Sequence, residues 1–360
     1  MLSEISNLLE TFSQTHLIED LSRLDQRELM ECLAQLKRWR IEDLHLQKKS
    51  WEEREKREEF EPFSDPASKV SKKAGTKKCA ALFLAGGQGS RLGFEGPKGC
   101  YPLLGKSLFE RHCEKIRSNA PVAILTSLLN HQETLSFFEK ESFFGLQKLS
   151  FFSQDTLPLL DENGKWFWSS FGKIAEGSDG NGSVFAALDR AGVLQRFEEE
   201  GIETVHVVPV DNPLADPFDP QLSSFHEESG ADLSLKCIWI KESEEPMGRL
   251  VQIQGKLAIA EFSELSEMQK IENRYANTGL LAIDFSLVKL LAKQKFSLHW
   301  AWRTTSVFGE KRFAWKAERF IVDALGFAKR GCALSCERES CYAPLKEKKS
   351  IGELEKLLMV

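Results

Sequence analysis

Residues Ala80–Tyr101 read AALFLAGGQGSRLGFEGPKGCY, and the fold turns on how this stretch is read. Ala81 to Ala85 is an apolar run without charge, as expected of a strand buried on both faces. It runs directly into Gly86, Gly87 and Gly89. Such a loop lets backbone N–H groups approach phosphate oxygens with no Cβ in the way. Arg91 supplies a planar fork of positive charge and Lys98 a compact one, with Pro97 stiffening the backbone beside it. The alternative is a tight turn whose glycines serve only packing. Two common phosphate loops are excluded. A dinucleotide fingerprint needs glycine where Leu92 stands, and a Walker loop needs Ser or Thr where Gly99 follows Lys98.

The stretch resembles the L-x-G-G-x-G-T-R-L-G…P-K signature of sugar nucleotidyltransferases, carried here by Leu84-Ala85-Gly86-Gly87-Gln88-Gly89-Ser90-Arg91-Leu92-Gly93 and Pro97-Lys98. Gln88 and Pro97-Lys98-Gly99 are similar to the branch of UDP-N-acetylglucosamine and related UDP-sugar pyrophosphorylases. The resemblance implies an α/β fold: a doubly wound, mostly parallel mixed sheet of the glycosyltransferase A-like type, with an N-terminal helical arm.

The composition agrees with a globular protein. The chain has 360 residues, 42% hydrophobic and 28% charged, enough for one large α/β domain and an accessory part. A formal net charge of −6 argues against nucleic acid as the main partner. Apolar runs fall short of the roughly 18 residues of a membrane span. The acidic N-terminal stretch MLSEISNLLETF is unlike a signal peptide, so a cytoplasmic protein is expected, without a membrane partner and monomeric. Cys332, Cys336 and Cys341 invite a zinc reading, but they lack a C-x-x-C pair and a nearby histidine, which favours structural cysteines.

Taken in order, residues 2 to about 60 carry helical spacing at Leu8, Leu9 and Phe12, then at Leu29, Cys32, Leu33 and Leu36. Asp25 and Glu28 suit a capping box. Lys48 to Glu61 reads as a solvated helix, and Pro62 to Lys78 as a linker. Helices are expected over Ser107–Ser118 and His131–Lys140. Strands are expected over Val122–Thr126 and from Leu149 to Phe152. The alternation argues a parallel, doubly wound sheet, with ligands at the carboxyl ends of its strands. The expected division is 1–75 arm and linker, 76–345 catalytic domain, and 346–360 a short C-terminal helix.

Three further segments bear on chemistry. Glu176–Leu188, EGSDGNGSVFAAL, is a second glycine-rich loop, with Asn181 able to donate and accept. It resembles a P-D-G-N-G-G element, with Ser178 and Ser183 in place of a proline and a glycine. Val205–Pro217 ends a strand on Asp211-Asn212, either an Asx turn or a magnesium ligand, since hard oxygen suits Mg²⁺. It resembles V-D-N…A-D-P. Then Pro246-Met247-Gly248 resembles P-x-G, Ala260–Glu264 V-E-Y-S-E, and Asn277-Thr278-Gly279 N-A-G, with Leu280 replacing a second asparagine. Lys316–Asp323, KAERFIVD, resembles K-x-E-K-F-V-F-D. On a helix Lys316 would otherwise be a solvated surface lysine.

The resemblance implies a UTP:sugar-1-phosphate uridylyltransferase. Leu84, Ala85, Gly86, Gly87, Gly89, Ser90, Gln154 and Gly180 would hold the nucleotide. Asn181, Gly248, Glu261 and Asn277 would hold the sugar. Arg91 and Lys98 would take the triphosphate, Lys316 the attacking phosphate and Asp211 a Mg²⁺ ion. Asn181 favours N-acetylglucosamine-1-phosphate, with Gly248 leaving room for the acetyl methyl; glucose-1-phosphate or a broader set of sugars is the alternative. A catalytically silent nucleotide sensor is the rival of another class, opposed by the retention of Arg91, Lys98, Asp211 and Lys316. A nicotinamide-dependent oxidoreductase fails on the fingerprint. The arm carries no site residue by this reading and is expected to be architectural.

Overall fold

The computed structural model of the chain describes residues 1–54, 59–63, 65–70, 75–116 and 119–359. Two compact units are present: Glu58–Gln154 with Val184–Lys295 and Ile321–Val360, and Met1–Arg57 with Asp155–Ser183 and Phe296–Phe320.

The larger unit is built on one ten-stranded sheet: β1 (Glu61–Pro62), β2 (Cys79–Leu84), β3 (Val122–Thr126), β4 (Leu149–Ser153), β5 (Thr204–Pro209), β6 (Leu233–Trp239), β7 (Arg249–Ile253), β8 (Lys256–Ala260), β9 (Tyr275–Asp284) and β10 (Gly331–Cys336). The apolar run read from sequence is β2, in which Ala80, Ala81, Leu82 and Phe83 are wholly buried. Side chains the size of Leu82 and Phe83 each contribute about 1.5–3 kcal/mol on such burial. β5, β3 and β4 all run parallel to β2, with Val205 opposite Ala80 and Ala81 opposite Val122. β9 is antiparallel to β5, and β6 and β10 continue the sheet beyond it. β7, β8 and β1 branch from the first half of β9, starting where Arg249 faces Ala276. The sheet is therefore mixed: β5, β2, β3 and β4 form a parallel run, as expected, and the strands beyond β5 are joined mainly by antiparallel pairs. The parallel strands bring Ala85, Ser127, Gln154 and Val210 to the same edge.

Helices fall close to their expected places. His131–Lys140 forms as read; Leu108–Cys113 is shorter than Ser107–Ser118, being capped by the Ser107 hydroxyl, and Ser118 lies outside the described residues. Helix Ile351–Leu358 buries Leu354 beside Leu345, Leu92 and Leu108. The expected linker is pinned in part. Pro62 pairs with Val251, and the Ala67 amide donates to the Ala333 carbonyl at 2.9 Å. Residue 64 and residues 71–74 of that stretch lie outside the described residues.

The smaller unit joins the N-terminal helices to Asp155–Ser183 and Phe296–Phe320. Helices Leu2–Thr11, Gln26–Arg38 and Ile41–Glu53 do not stand alone. Their apolar faces (Ile5, Leu9, Cys32, Leu36, Trp39) share a core with Leu157, Trp166, Ile174 and Ala317. An apolar helix face needs cover, and here the cover comes from more than a hundred residues downstream. The expected capping box is present: the Glu28 amide donates to Asp25 Oδ1, and the Asp25 amide to Glu28 Oε2, both at 2.8 Å. Strand pairs Thr156–Pro158 with Glu176–Ser178 and Trp168–Ser170 with Lys173–Ile174, and the hairpin His299–Val307 with Glu310–Glu318, complete the unit. No helix among the described residues is long and apolar enough to cross a membrane.

Candidate active site

In the larger unit, β2 ends at Leu84 and the chain enters the loop Ala85–Gly89 before a single turn of 3₁₀ helix over Ser90–Leu92. Protein groups hold the carbonyls of this loop. Asn130 Nδ2 donates to the Ala85 carbonyl at 2.9 Å and to that of Gly87 at 3.2 Å. The Lys98 amide also donates to the Gly87 carbonyl, at 3.0 Å. The amides of Gly86, Gly87 and Gln88 form no hydrogen bond among the described residues. Gly87 is exposed and its two neighbours half-buried, and three consecutive backbone donors open in this way can receive an anionic oxygen. Sequence reading missed Asn130; its only signal was an asparagine placed just ahead of helix His131–Lys140, which reads as a helix cap. Replacing it tests the cradle. Asn130→Ala is expected to cost about 1–3 kcal/mol, because the buried Ala85 carbonyl loses Asn130 as its donor, while the Gly87 carbonyl keeps the Lys98 amide. Thermal melts check this, and an unchanged melting temperature would refute the support role.

Gly86 lies against Gln154: a Cβ there would stand 2.7 Å from Gln154 Nε2 and would displace that carboxamide. The largely buried Gln154 carboxamide makes no hydrogen bond to the described residues, which leaves an acceptor and donor for a base edge. Lys98 lies along Gly87, and its Nζ sits 3.1 Å from Asp211 Oδ2. The lysine side chain is 8% exposed and the aspartate 21%, so the proposed phosphate ligand and the proposed metal ligand form one half-buried ion pair. Arg91 is exposed and has no partner among the described residues.

Asp211 follows β5 and is fixed on both sides. Its carbonyl accepts the Leu345 amide at 2.7 Å. The adjacent Asn212, wholly buried, donates to the Cys341 carbonyl at 2.7 Å and accepts the Ala343 amide at 3.1 Å. His112 Nε2 meets the Val210 carbonyl at 3.1 Å; burial pushes this imidazole down to about 3, so it is neutral and donates. Among the described residues there is no cluster of three or more metal-ligating side chains that could hold a metal ion.

Gly248, Glu261 and Asn277 come together in the same unit. The Asn277 amide donates to the Gly248 carbonyl at 2.9 Å, and a Cβ on Gly248 would stand 3.5 Å from Glu261 Oε1. That Cβ would also lie 2.9 Å from Ile259 Cγ2. A side chain at position 248, just ahead of β7, would thus press on Ile259 of β8. Asn277 Oδ1 accepts the Gly279 amide at 2.9 Å, and Leu280 is buried in the core.

The remaining sequence-read residues belong to the smaller unit. Lys316 lies on the strand Glu310–Glu318, not on a helix, opposite Ala301 in the hairpin. Its Nζ is 2.8 Å from Glu318 Oε1, and its methylenes cover Gly177. Gly180 has φ +91°, and a Cβ on it would fall 2.2 Å from the Arg319 carbonyl oxygen. Asn181, half-buried, is the next residue of that loop. Asp179 beside it is buried; desolvation pushes its carboxyl up to about 6 against the pull of Arg319. Sequence reading missed Arg319, whose one signal was its place where the K-x-E-K pattern has lysine.

Residues 29–360 match the family described as UTP–glucose-1-phosphate uridylyltransferase. A Dictyostelium discoideum protein named "Probable UDP-N-acetylglucosamine pyrophosphorylase" is 31% identical over 312 residues, which is 74% of this chain and 64% of that protein. A Homo sapiens protein named UDP-N-acetylhexosamine pyrophosphorylase-like protein 1 is 31% identical over 75% of this chain and 60% of its own length. The chain therefore spans a little under two-thirds of the length of these curated relatives. The crystal structure of the Trypanosoma brucei uridine diphosphate N-acetylglucosamine pyrophosphorylase in complex with inhibitor shares the fold, with a TM-score of 0.82 at 24% identity over 97% of this chain and 83% of that one. On the sequence match, the chain belongs to the UTP–glucose-1-phosphate uridylyltransferase family.

Proposed function

We propose that the chain is a uridylyltransferase that makes a UDP-sugar and pyrophosphate from UTP and a sugar-1-phosphate. The observation that carries this is the run of free amides at Gly86, Gly87 and Gln88, with Lys98 beside them and the unpaired Gln154 carboxamide against Gly86. An oxygen of the sugar phosphate attacks the α-phosphorus of UTP. A new P–O bond forms as the bond to the bridging oxygen of the β-phosphate breaks, and pyrophosphate leaves with that electron pair. The attacking phosphate is already an anion, so no general base is required. Positioning and charge neutralisation supply most of the acceleration. In this reading the amide cradle, Lys98 and the unpartnered Arg91 hold the triphosphate, Lys316 steadies the attacking phosphate, and Gln154 reads the uracil edge.

One carboxylate with substrate phosphates is an ordinary donor set for Mg²⁺, so Asp211 fits as its protein ligand. The ion, when bound, supplies neutralisation of charge on the phosphate oxygens. Lys98, whose Nζ pairs with Asp211, would then be released towards phosphate.

For the sugar we favour N-acetylglucosamine-1-phosphate. Asn181 offers an amide donor for an N-acetyl carbonyl, and the relatives named above carry N-acetylglucosamine or N-acetylhexosamine in their names. A site built to hydrogen-bond a group rejects the analogue that lacks it, by about 1–3 kcal/mol per contact. The kcat/KM for N-acetylglucosamine-1-phosphate is expected to exceed that for glucose-1-phosphate at least tenfold. A tenfold preference for glucose-1-phosphate would overturn the sugar choice and leave the transfer itself standing.

A further inference from the structure

Asp179 of the loop Asp179–Ser183 is 1% exposed, yet both of its carboxylate oxygens are engaged. Ser183 Oγ donates to Oδ1 at 2.8 Å, and Arg319 Nη1 donates to Oδ2 at 2.8 Å. The same guanidinium reaches further. Its Nη2 donates to Asp43 Oδ1 at 2.6 Å, and Arg40 Nε holds Asp43 Oδ2 at 2.7 Å. Asp43 lies in helix Ile41–Glu53 and is 5% exposed, as is Arg319. Main-chain bonds run alongside. The Arg319 amide donates to the Asp179 carbonyl at 2.7 Å, and the Gly182 amide to the Arg319 carbonyl at 3.0 Å.

Three departures from the sugar-nucleotidyltransferase pattern fall in or beside this network. Ser183 stands where the pattern has glycine and is the hydroxyl on Asp179. Ser178 stands where it has proline, and its Oγ accepts the Gly180 amide at 3.1 Å. Arg319 stands where it has lysine. A lysine is a single point charge, whereas the arginine fork gives each of two carboxylates its own N–H. Here the two ends of the fork bind the glycine-rich loop and helix Ile41–Glu53 through separate nitrogens, at a spacing one ammonium nitrogen does not reproduce.

We propose that Arg319 and Asp43 are positioning residues for substrate: the N-terminal helix sets the Gly180-Asn181 loop through the Asp43–Arg319–Asp179 relay. This rests on the assignment of Asn181 to the sugar made above. It also replaces the expectation that the arm is merely architectural. The arm carries no residue that touches substrate, but it fixes one that does.

The test uses the full chain and a matched control. Gln35 is equally buried in the arm, and its side chain donates to the Ile174 carbonyl at 2.8 Å and accepts the Ile174 amide at 2.9 Å, away from the loop. Asp43→Asn and Gln35→Ala are both expected to lower the melting temperature. Asp43→Asn alone should raise KM for the sugar-1-phosphate about tenfold with kcat within threefold, and speed amide exchange at Gly182 and Arg319 at least tenfold. Arg319→Lys should reproduce Asp43→Asn, while Gln35→Ala leaves KM and the exchange of those two amides within twofold of the parent. Equal shifts in Asp43→Asn and Gln35→Ala, or unchanged Gly182 exchange in Asp43→Asn, would overturn the relay. If the parent releases no pyrophosphate, the functional assignment fails, and the exchange measurement decides the relay on its own.

Discussion

Replacing Asp211 by asparagine is expected to lower turnover at least a hundredfold at saturating substrates and Mg²⁺, about 2.7 kcal/mol of barrier. The amide keeps the shape of the carboxylate and removes its charge. The bonds that place the residue survive, because the Leu345 amide is held by the Asp211 main-chain carbonyl and Asn212 makes its own contacts. Lys98, largely buried, loses its ionic partner, so a stability loss of about 1–3 kcal/mol accompanies the change. Kinetics on the folded fraction separates the two effects. Full turnover at saturating Mg²⁺ would remove Asp211 from the chemistry and leave it as the partner of Lys98.

The second large effect is expected at Gly180. Its φ of +91° is a conformation that L side chains rarely adopt, costing roughly 1–2 kcal/mol. The added Cβ would also lie 2.2 Å from a backbone oxygen, that of Arg319, which cannot swing aside as a flexible side chain would. Gly180→Ala must therefore lift the loop from the strand end that supports it. We expect a loss of about 3 kcal/mol or more, with KM for the sugar-1-phosphate raised more than tenfold. Gly192 supplies the comparison: its φ is +67°, but nothing lies within 4 Å of a Cβ there. Gly192→Ala should cost only about 1 kcal/mol and leave KM unchanged. Equal effects at the two glycines would show that backbone strain, not the approach to Arg319, sets the outcome.

The central strands and the loop at Gly86 were legible because their signals are local. A charge-free run such as Ala81–Ala85 has one physical home, and Asp25 with Glu28 forms a box four residues long. The sugar group Gly248, Glu261 and Asn277 was legible only through motif resemblance, since their meeting depends on β7, β8 and β9 lying side by side. Lys316 was misread because the hairpin carrying it is largely exposed, so its strand lacks the clean apolar alternation that marks a half-buried one. Asp43 and Arg319 stand 276 positions apart, and neither has a distinctive neighbourhood in sequence. What joins them is burial: a carboxylate removed from water must find a cation, and that requirement appears only once the chain has folded. The same holds for Asn130, whose role is set by carbonyls that the glycine loop turns toward it.

The central claim is tested most directly by pyrophosphate release from UTP, measured with Mg²⁺ across a panel of sugar-1-phosphates and without any sugar. The account predicts release that depends on both UTP and a sugar-1-phosphate, greatest with N-acetylglucosamine-1-phosphate, with the UDP-sugar formed in equal amount. Binding of UTP without pyrophosphate release from any member of the panel would contradict it, and would leave the protein a nucleotide-binding member of its family.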